Sequence, residues 1–212
     1  MKTLHFLHIG KTGGTAVRRA LESYSRAGEF EFTLHGHSTR LADIPVEDYW
    51  FFGVRDPVDR FVSRFYDRQR QGAPAWSTPW TPAERIWLAV FPSAEALARA
   101  LPTSPLAPLA MSEIQHLSDT YTQCLESPAY LRTRADRLLT VLRREHLRRD
   151  FADLSARLGI AAVLPSDDAG SNRAPPYAPL SRVAASNVAA WYADDYAFMR
   201  TFEELMAWSS PP

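Results

Sequence analysis

The 212-residue chain has a single cysteine, Cys124. One thiol closes no intrachain disulfide and builds no cysteine-based metal site, and this usage fits a reducing compartment. No run approaches the ~20 apolar residues that cross a bilayer. The first ten residues read as a strand entering a loop, which leaves no room for a signal peptide or membrane stem. The expectation is a cytoplasmic protein. Charge of one sign is not in excess either, because Lys plus Arg and Asp plus Glu number 24 each. That disfavours a chain devoted to nucleic acid or to a long polyanion, while allowing a local basic pocket. No internal repeat and no break in composition marks a second domain. A hydrophobic share of 46% suits one domain over residues 1–212 with a sizeable core.

Glycine is scarce, nine in all, yet three fall in one short stretch, His8-Ile9-Gly10-Lys11-Thr12-Gly13-Gly14-Thr15. The apolar residues 3–7 before it read as a buried strand, and residues 17–26 after it as a helix. A strand, a Gly-rich turn and a helix make an anion cradle. Backbone N–H groups at the helix start point at the anion, and the helix dipole adds positive potential. Gly13 and Gly14 let oxygens approach the backbone. Lys11 adds a full charge, and Thr12 and Thr15 add hydroxyl donors. The long Walker loop is absent, because its first Gly would fall within the strand. The bland alternative is a Gly-rich turn that only connects two elements.

Further along, residues 29–34 alternate as a second strand, with Phe30, Phe32 and Leu34 on one face, and end at His35-Gly36-His37. Open α/β sheets place chemistry at strand ends. Surface histidines or half of a metal site are the other readings, but no further Cys or His set completes a metal site. Residues 49–54 form an aromatic third strand running into Arg55-Asp56-Pro57. Asp56 suits an N-cap and Pro57 the first helical position. The helix carries Val58, Phe61, Val62, Phe65 and Tyr66 on its core stripe, with Asp59, Arg60, Arg64 and Asp67 off it and Ser63 at its edge. Arg55 is either a helix-flanking charge or a side chain entering the sheet-end crevice.

Seven prolines break residues 73–110 into pieces. Thr81 to Glu84 reads as a capping box, and Ser93 as the cap of a helix through Leu101. Trp76, Trp80 and Trp87 suggest an acceptor-side wall, with Trp87 as local core. Helices are expected over 112–124 and 145–158, the latter stopped by Gly159. A strand is expected over 137–142 and a polar loop over 166–179. A helix in two pieces over 181–208 turns Trp191, Phe198, Met199, Phe202 and Leu205 inward. His116 and His146 read as surface or cap residues.

The segment His8 to Val17 resembles the 5′-phosphosulfate loop of sulfotransferases that use 3′-phosphoadenosine 5′-phosphosulfate (PAPS). It is most similar to the carbohydrate branch that includes heparan sulfate 2-O-sulfotransferase. That branch carries a Pro-Lys-Thr-Gly-Gly-Thr-type loop, and Gly10 stands here where Pro is usual. Val54-Arg55-Asp56-Pro57 through Ser63 resembles the family's 3′-phosphate motif, and His35-Gly36-His37 its catalytic His-Gly-His. The resemblance implies a single-domain P-loop nucleotide-kinase-like α/β fold, with a mostly parallel sheet between helices. It also implies that Lys11, Thr12, Gly13, Gly14 and Thr15 hold the 5′ end of PAPS and that Arg55 and Ser63 hold its 3′-phosphate. Lys11 stabilises the leaving oxygen, His35 is the base, and His37 is the second His. Arg173 is the candidate in a loop over the nucleotide. Family members in the Golgi carry an anchor and stem, so a bacterial cytoplasmic member is expected. The implied acceptor is a small molecule, glycan or lipid headgroup, without a metal cofactor. An ATP-dependent kinase and a non-catalytic nucleotide-binding module are the rival readings.

The motif assignment has a direct test. Arg55→Ala and Ser63→Ala are expected to weaken binding of the 3′,5′-bisphosphate product more than binding of the nucleotide lacking the 3′-phosphate. A charge-assisted contact is worth about 1.5–3 kcal/mol. Calorimetry with both nucleotides checks it, and equal losses reject the assignment.

Overall fold

The computed structural model describes residues 1–72, 77–166 and 177–208. Along the chain it has β1 (Lys2–Leu7), α1 (Gly14–Leu21), β2 (Arg26–Ala27), β3 (Phe30–Leu34) and β4 (Tyr49–Val54). Helices α2 (Pro57–Gln69), α3 (Pro82–Val90), α4 (Ala94–Ala100), α5 (Leu106–Glu113), α6 (Tyr121–Leu125) and α7 (Pro128–Thr133) follow. Then come β5 (Leu138–Arg143), α8 (Leu147–Leu158), α9 (Arg182–Trp191) and α10 (Ala193–Trp208). The chain divides into two compact units. Met1–Arg55, Tyr121–Ala169 and Ala197–Pro212 form one, and Asp56–Thr120 and Gly170–Tyr196 the other.

The first unit holds a five-stranded sheet in the order β2-β3-β1-β4-β5. Strand β1 pairs in parallel with β3 and β4, and β4 with β5, while β2 runs antiparallel to β3. The fold is therefore α/β with a mostly parallel sheet flanked by helices. The run Tyr-Trp-Phe-Phe-Gly-Val in β4 is apolar without alternation, as a strand covered on both faces requires. Its Trp50 and Phe52 enter one core with Leu7, Val141 and Phe202. Its Phe51 enters the other core with Leu4, Phe6, Val17 and Phe151.

The second unit is helical and packs Phe61, Phe65, Leu97, Met111, Val188 and Tyr192 into its own core. Caps set the helix starts here as expected. Asp56 accepts from Val58 N and Asp59 N, Thr81 and Glu84 close a capping box, and Ser93 accepts from Ala96 N. Gly159, in the left-handed region, stops α8 in the first unit.

Several expectations are corrected. Helix α1 begins at Gly14 and stops at Leu21, because Gly13 turns the chain at φ +90°. Arg26 then lies in β2, a short antiparallel edge that closes on β3 through Gly28 at φ +56°. The helix expected over 112–124 is two helices. Ile114 is extended and His116 has φ +71°, so Ile114 and Leu117 are buried from a turn. Helix α2 buries Arg60, Arg64, Asp67 and Arg68 besides its apolar stripe. Trp191 is 42% exposed, because the stripe Ala184, Val188, Tyr192 takes the inner side.

The arginines of α2 are buried against partners within the same unit. Arg60 pairs with Asp195 at 3.2 Å, and Arg64 donates to Asp119 O at 2.7 Å. Arg68 forks onto Glu84 at 2.6 and 2.7 Å. Glu84 also accepts from Thr81 N and Gln115 N. Removing one partner of such a pair strands the other charge. Glu84→Ala is expected to lower stability by about 3–5 kcal/mol, read from urea unfolding. A loss below about 1 kcal/mol would show the fork to be dispensable.

Candidate functional site at the carboxyl end of the sheet

Four strands of the first unit are parallel, so their carboxyl ends share one edge of the sheet. The candidate residues stand there: residues 8–15 after β1, His35 to His37 after β3 and Arg55 after β4, with Arg144 after β5. Strand order reverses at β1, which has β3 on one side and β4 on the other. Ligands of open α/β sheets bind at such a reversal.

The loop after β1 is built by close packing. A Cβ on Gly14 would lie 2.2 Å from His8 Cδ2, so the His8 ring occupies that space. A Cβ on Gly13 would lie 2.5 Å from Leu147 Cδ2 and 3.1 Å from Arg144 Cδ. A Cβ on Gly53 would lie 2.9 Å from Thr12 Oγ1. The glycines thus admit the protein's own side chains, where the sequence suggested open room for ligand oxygens. Thr12 is buried and donates its hydroxyl to Ile9 O at 2.8 Å. That hydroxyl is thus committed to the main chain, while Thr15 is exposed. The N-cap residue is Gly13, so no N-cap side chain caps the start of α1. Lys11 has φ +66°, a left-handed conformation that costs a non-glycine residue about 1–3 kcal/mol and clusters at functional sites.

Four histidines surround this loop. The His8 and His37 rings lie 3.9 Å apart, and His37 Nδ1 meets His8 O at 3.0 Å. His8 is 8% exposed. Burial first, and then the charges of His37 and Arg18, push it down from an ordinary 6.5 to about 4. His35 is half-buried, with its N–H on Phe6 O at 3.1 Å. Its Nε2 lies 2.8 Å from His5 Nδ1, and His5 Nε2 lies 3.1 Å from Asp48 Oδ2. Burial and the neighbouring His5 lower the His35 pKa against an opposing push from Asp43. Both His8 and His35 are held neutral near pH 7.

Arg55 is anchored through its backbone. Its N–H donates to Tyr121 Oη at 2.9 Å, and the same hydroxyl donates to Arg55 O at 2.7 Å. Arg143 is committed to Asp150 by a two-pronged fork at 2.8 and 2.9 Å. Arg18 donates to His35 O at 3.1 Å.

The structure therefore brings Lys11, Thr12, Gly13, Gly14, Thr15, His35, His37 and Arg55 to one sheet edge. Ser63 is half-buried on α2 in the other unit. Arg173 and Trp76 lie outside the described residues. Sequence reasoning passed over His5, Asp48, Tyr121 and Arg18. His5 sat in an apolar strand and read as core, and Asp48 reaches it across 43 residues. Among the described residues, no group of three or more His, Cys, Asp or Glu is placed to hold a metal ion, and no helix is long and apolar enough to cross a membrane. No family model matches the chain, and no curated protein matches it.

The neutrality of His8 makes a pH prediction. The unfolded chain takes up its proton near 6.5 and the folded one near 4. Below 6.5 the unfolded state binds more protons, so stability is full above 6.5 and is lost as pH falls towards 4. His35, also lowered, adds to the same slope. Urea midpoints from pH 7.5 to 4.5 should fall in the parent and fall less in His8→Phe. Superimposable profiles would show that His8 is not held neutral.

Proposed function

We propose that this chain is a sulfotransferase of P-loop nucleotide-kinase-like fold, using PAPS as sulfuryl donor and a hydroxyl of a small molecule, glycan or lipid headgroup as acceptor. The observation that carries the reading is the juxtaposition at one sheet edge. A strained Lys11 lies in the turn before an α1 start that no N-cap side chain caps, and a neutral His35 follows the adjacent strand. An anion cradle beside a base is what transfer of a charged group to a hydroxyl needs. The resemblance of residues 8–17 and 54–63 to the family's loops names the sulfuryl group in preference to a phosphoryl group.

In this reading the acceptor oxygen attacks sulfur while the bond from sulfur to the bridging phosphate oxygen breaks, and the 3′,5′-bisphosphate leaves. The problem resembles phosphoryl transfer, in which positioning and charge stabilisation do most of the work. Lys11 and the backbone N–H groups of residues 12–15 stabilise the 5′-phosphate and the charge developing on the bridging oxygen. Thr12 contributes its main chain, because its hydroxyl is bonded to Ile9 O. His35 takes the acceptor proton. His37, exposed and bonded to His8 O, flanks the acceptor.

The test begins with calorimetry. The 3′,5′-bisphosphate should bind without metal and more tightly than ATP with Mg²⁺. Acceptors found with PAPS by mass shift then give a turnover assay. Turnover should survive EDTA. His35→Ala should keep bisphosphate affinity within a few-fold and cut turnover by roughly 10²–10⁴. Preference for ATP, or loss in EDTA that Mg²⁺ restores, would move the reading to a kinase. Nucleotide binding without turnover on any acceptor would leave a binding module.

A further inference from the structure

We propose that His5 and Asp48 are positioning residues that fix His35 in one tautomer, with the proton on Nε2 and the accepting lone pair on Nδ1. The proposal rests on the reading of His35 as the base. It goes beyond that reading by naming which nitrogen acts and what holds it.

The argument is a chain of donors and acceptors. An ionised Asp48 can only accept, so at 3.1 Å it takes the Nε2 proton of His5. A neutral imidazole with its proton on Nε2 presents a lone pair at Nδ1. That lone pair lies 2.8 Å from His35 Nε2, which must then be the donor. The remaining nitrogen of His35, Nδ1, is left as an acceptor. Thr39 Oγ1 lies 3.3 Å from it, a long contact that an incoming hydroxyl can replace. Had His35 carried its proton on Nδ1, two lone pairs would face each other at 2.8 Å.

Register makes the arrangement rigid. Strand β1 places His5 opposite Thr33 of β3, and His35 N is bonded to Phe6 O. The His5 and His35 rings are 7° from parallel with centroids 5.1 Å apart, so the bond runs nearly in their common plane. His5 is 7% exposed, and a buried polar ring needs both nitrogens satisfied. Asp48 and His35 supply both partners.

The chain also says where a proton goes. When the acceptor hydroxyl forms its bond to sulfur, its proton passes to His35 Nδ1. The Nε2 proton of His35 is then shared with His5 Nδ1, and the positive charge is stabilised by the Asp48 carboxylate. No proton is created or lost until solvent takes it. The other charged groups near His35 are Arg18 of α1, bonded to His35 O, and Asp43 of the 3₁₀ turn Leu41–Asp43. Neither is bonded to a ring nitrogen of His35 in these hydrogen bonds, so neither selects the tautomer.

The test is long-range ¹H–¹⁵N NMR of the histidine rings at neutral pH, with His35 assigned through His35→Gln. In the parent, His35 is expected to show a protonated Nε2 and an unprotonated Nδ1. His5→Phe, which cannot accept, should lose the single-tautomer state. His5→Asn, whose amide oxygen can stand where Nδ1 was, should keep it. Asp48→Ala should loosen it, and a dispersed amide spectrum checks that each variant is folded. Donor binding should stay within a few-fold of the parent in all three, while turnover on a mass-shift acceptor drops at least 10-fold in His5→Phe and recovers in His5→Asn. A parent with the proton on Nδ1, or a tautomer unmoved by His5→Phe, overturns the proposal. If the tautomer follows the variants but no bisphosphate binds, the hydrogen-bonded chain stands and the sulfotransferase reading falls. Bisphosphate binding with an unmoved tautomer does the reverse.

Discussion

The sheet unit depends on three glycines, each of which gives up its Cβ space to a side chain from elsewhere. Gly14 receives the His8 ring, Gly13 receives Leu147 and the stem of Arg144, and Gly53 receives Thr12. These contacts lock the loop after β1 against its own strand, against β4 and against the start of α8. A Cβ placed 2.2–2.9 Å from those atoms is closer than packed atoms allow. The backbone N–H groups at the start of α1 therefore point where packing puts them. A preorganised donor set costs little reorganisation when charge develops. The glycines of this stretch thus rigidify the turn by admitting protein.

Electrostatics at the same edge follows from burial. His8 is held neutral first because its ring is packed, and His37 and Arg18 push the same way. His35 is lowered by burial and by His5. Two neutral imidazoles therefore stand at the same edge as Lys11 and Arg18. On the proposed reading, the lowered His35 leaves an imidazole available as a base at neutral pH.

Much of this was legible in the sequence where the signal was local. Strand β4 runs from Tyr49 to Val54 as its apolar run implies, and Asp56, Thr81 and Ser93 cap the helices that follow them. The failures came where tertiary context overrode a local pattern. Residues 112–124 keep helical spacing at Ile114, Leu117 and Tyr121, yet Ile114 and Leu117 are buried from a turn and Tyr121 from the short helix α6. Arg60 and Arg64 read as lying off the core stripe, because charge on a helix normally means exposure, yet they and Arg68 are buried. Their partners Asp195, Asp119 and Glu84 lie between 16 and 135 residues away, and no periodicity announces them. The site shows the same division. Lys11, His35 and Arg55 stood out by motif, whereas His5 and Asp48 matter only through the register that brings them together.

Arg55 shows how a fold can fix a residue through its backbone. Tyr121 reaches it from α6 and brackets its peptide, accepting from Arg55 N and donating to Arg55 O. Tyr121 is itself buried among Phe198 and Phe202, with ring centroids 6.2 and 5.5 Å away. A hydroxyl that is both donor and acceptor fixes the end of β4 in two directions. The stem of Arg55 therefore starts from a fixed point at the edge where Lys11 and His35 also stand. A guanidinium on such a stem loses less freedom on meeting an anion than one on a loose loop.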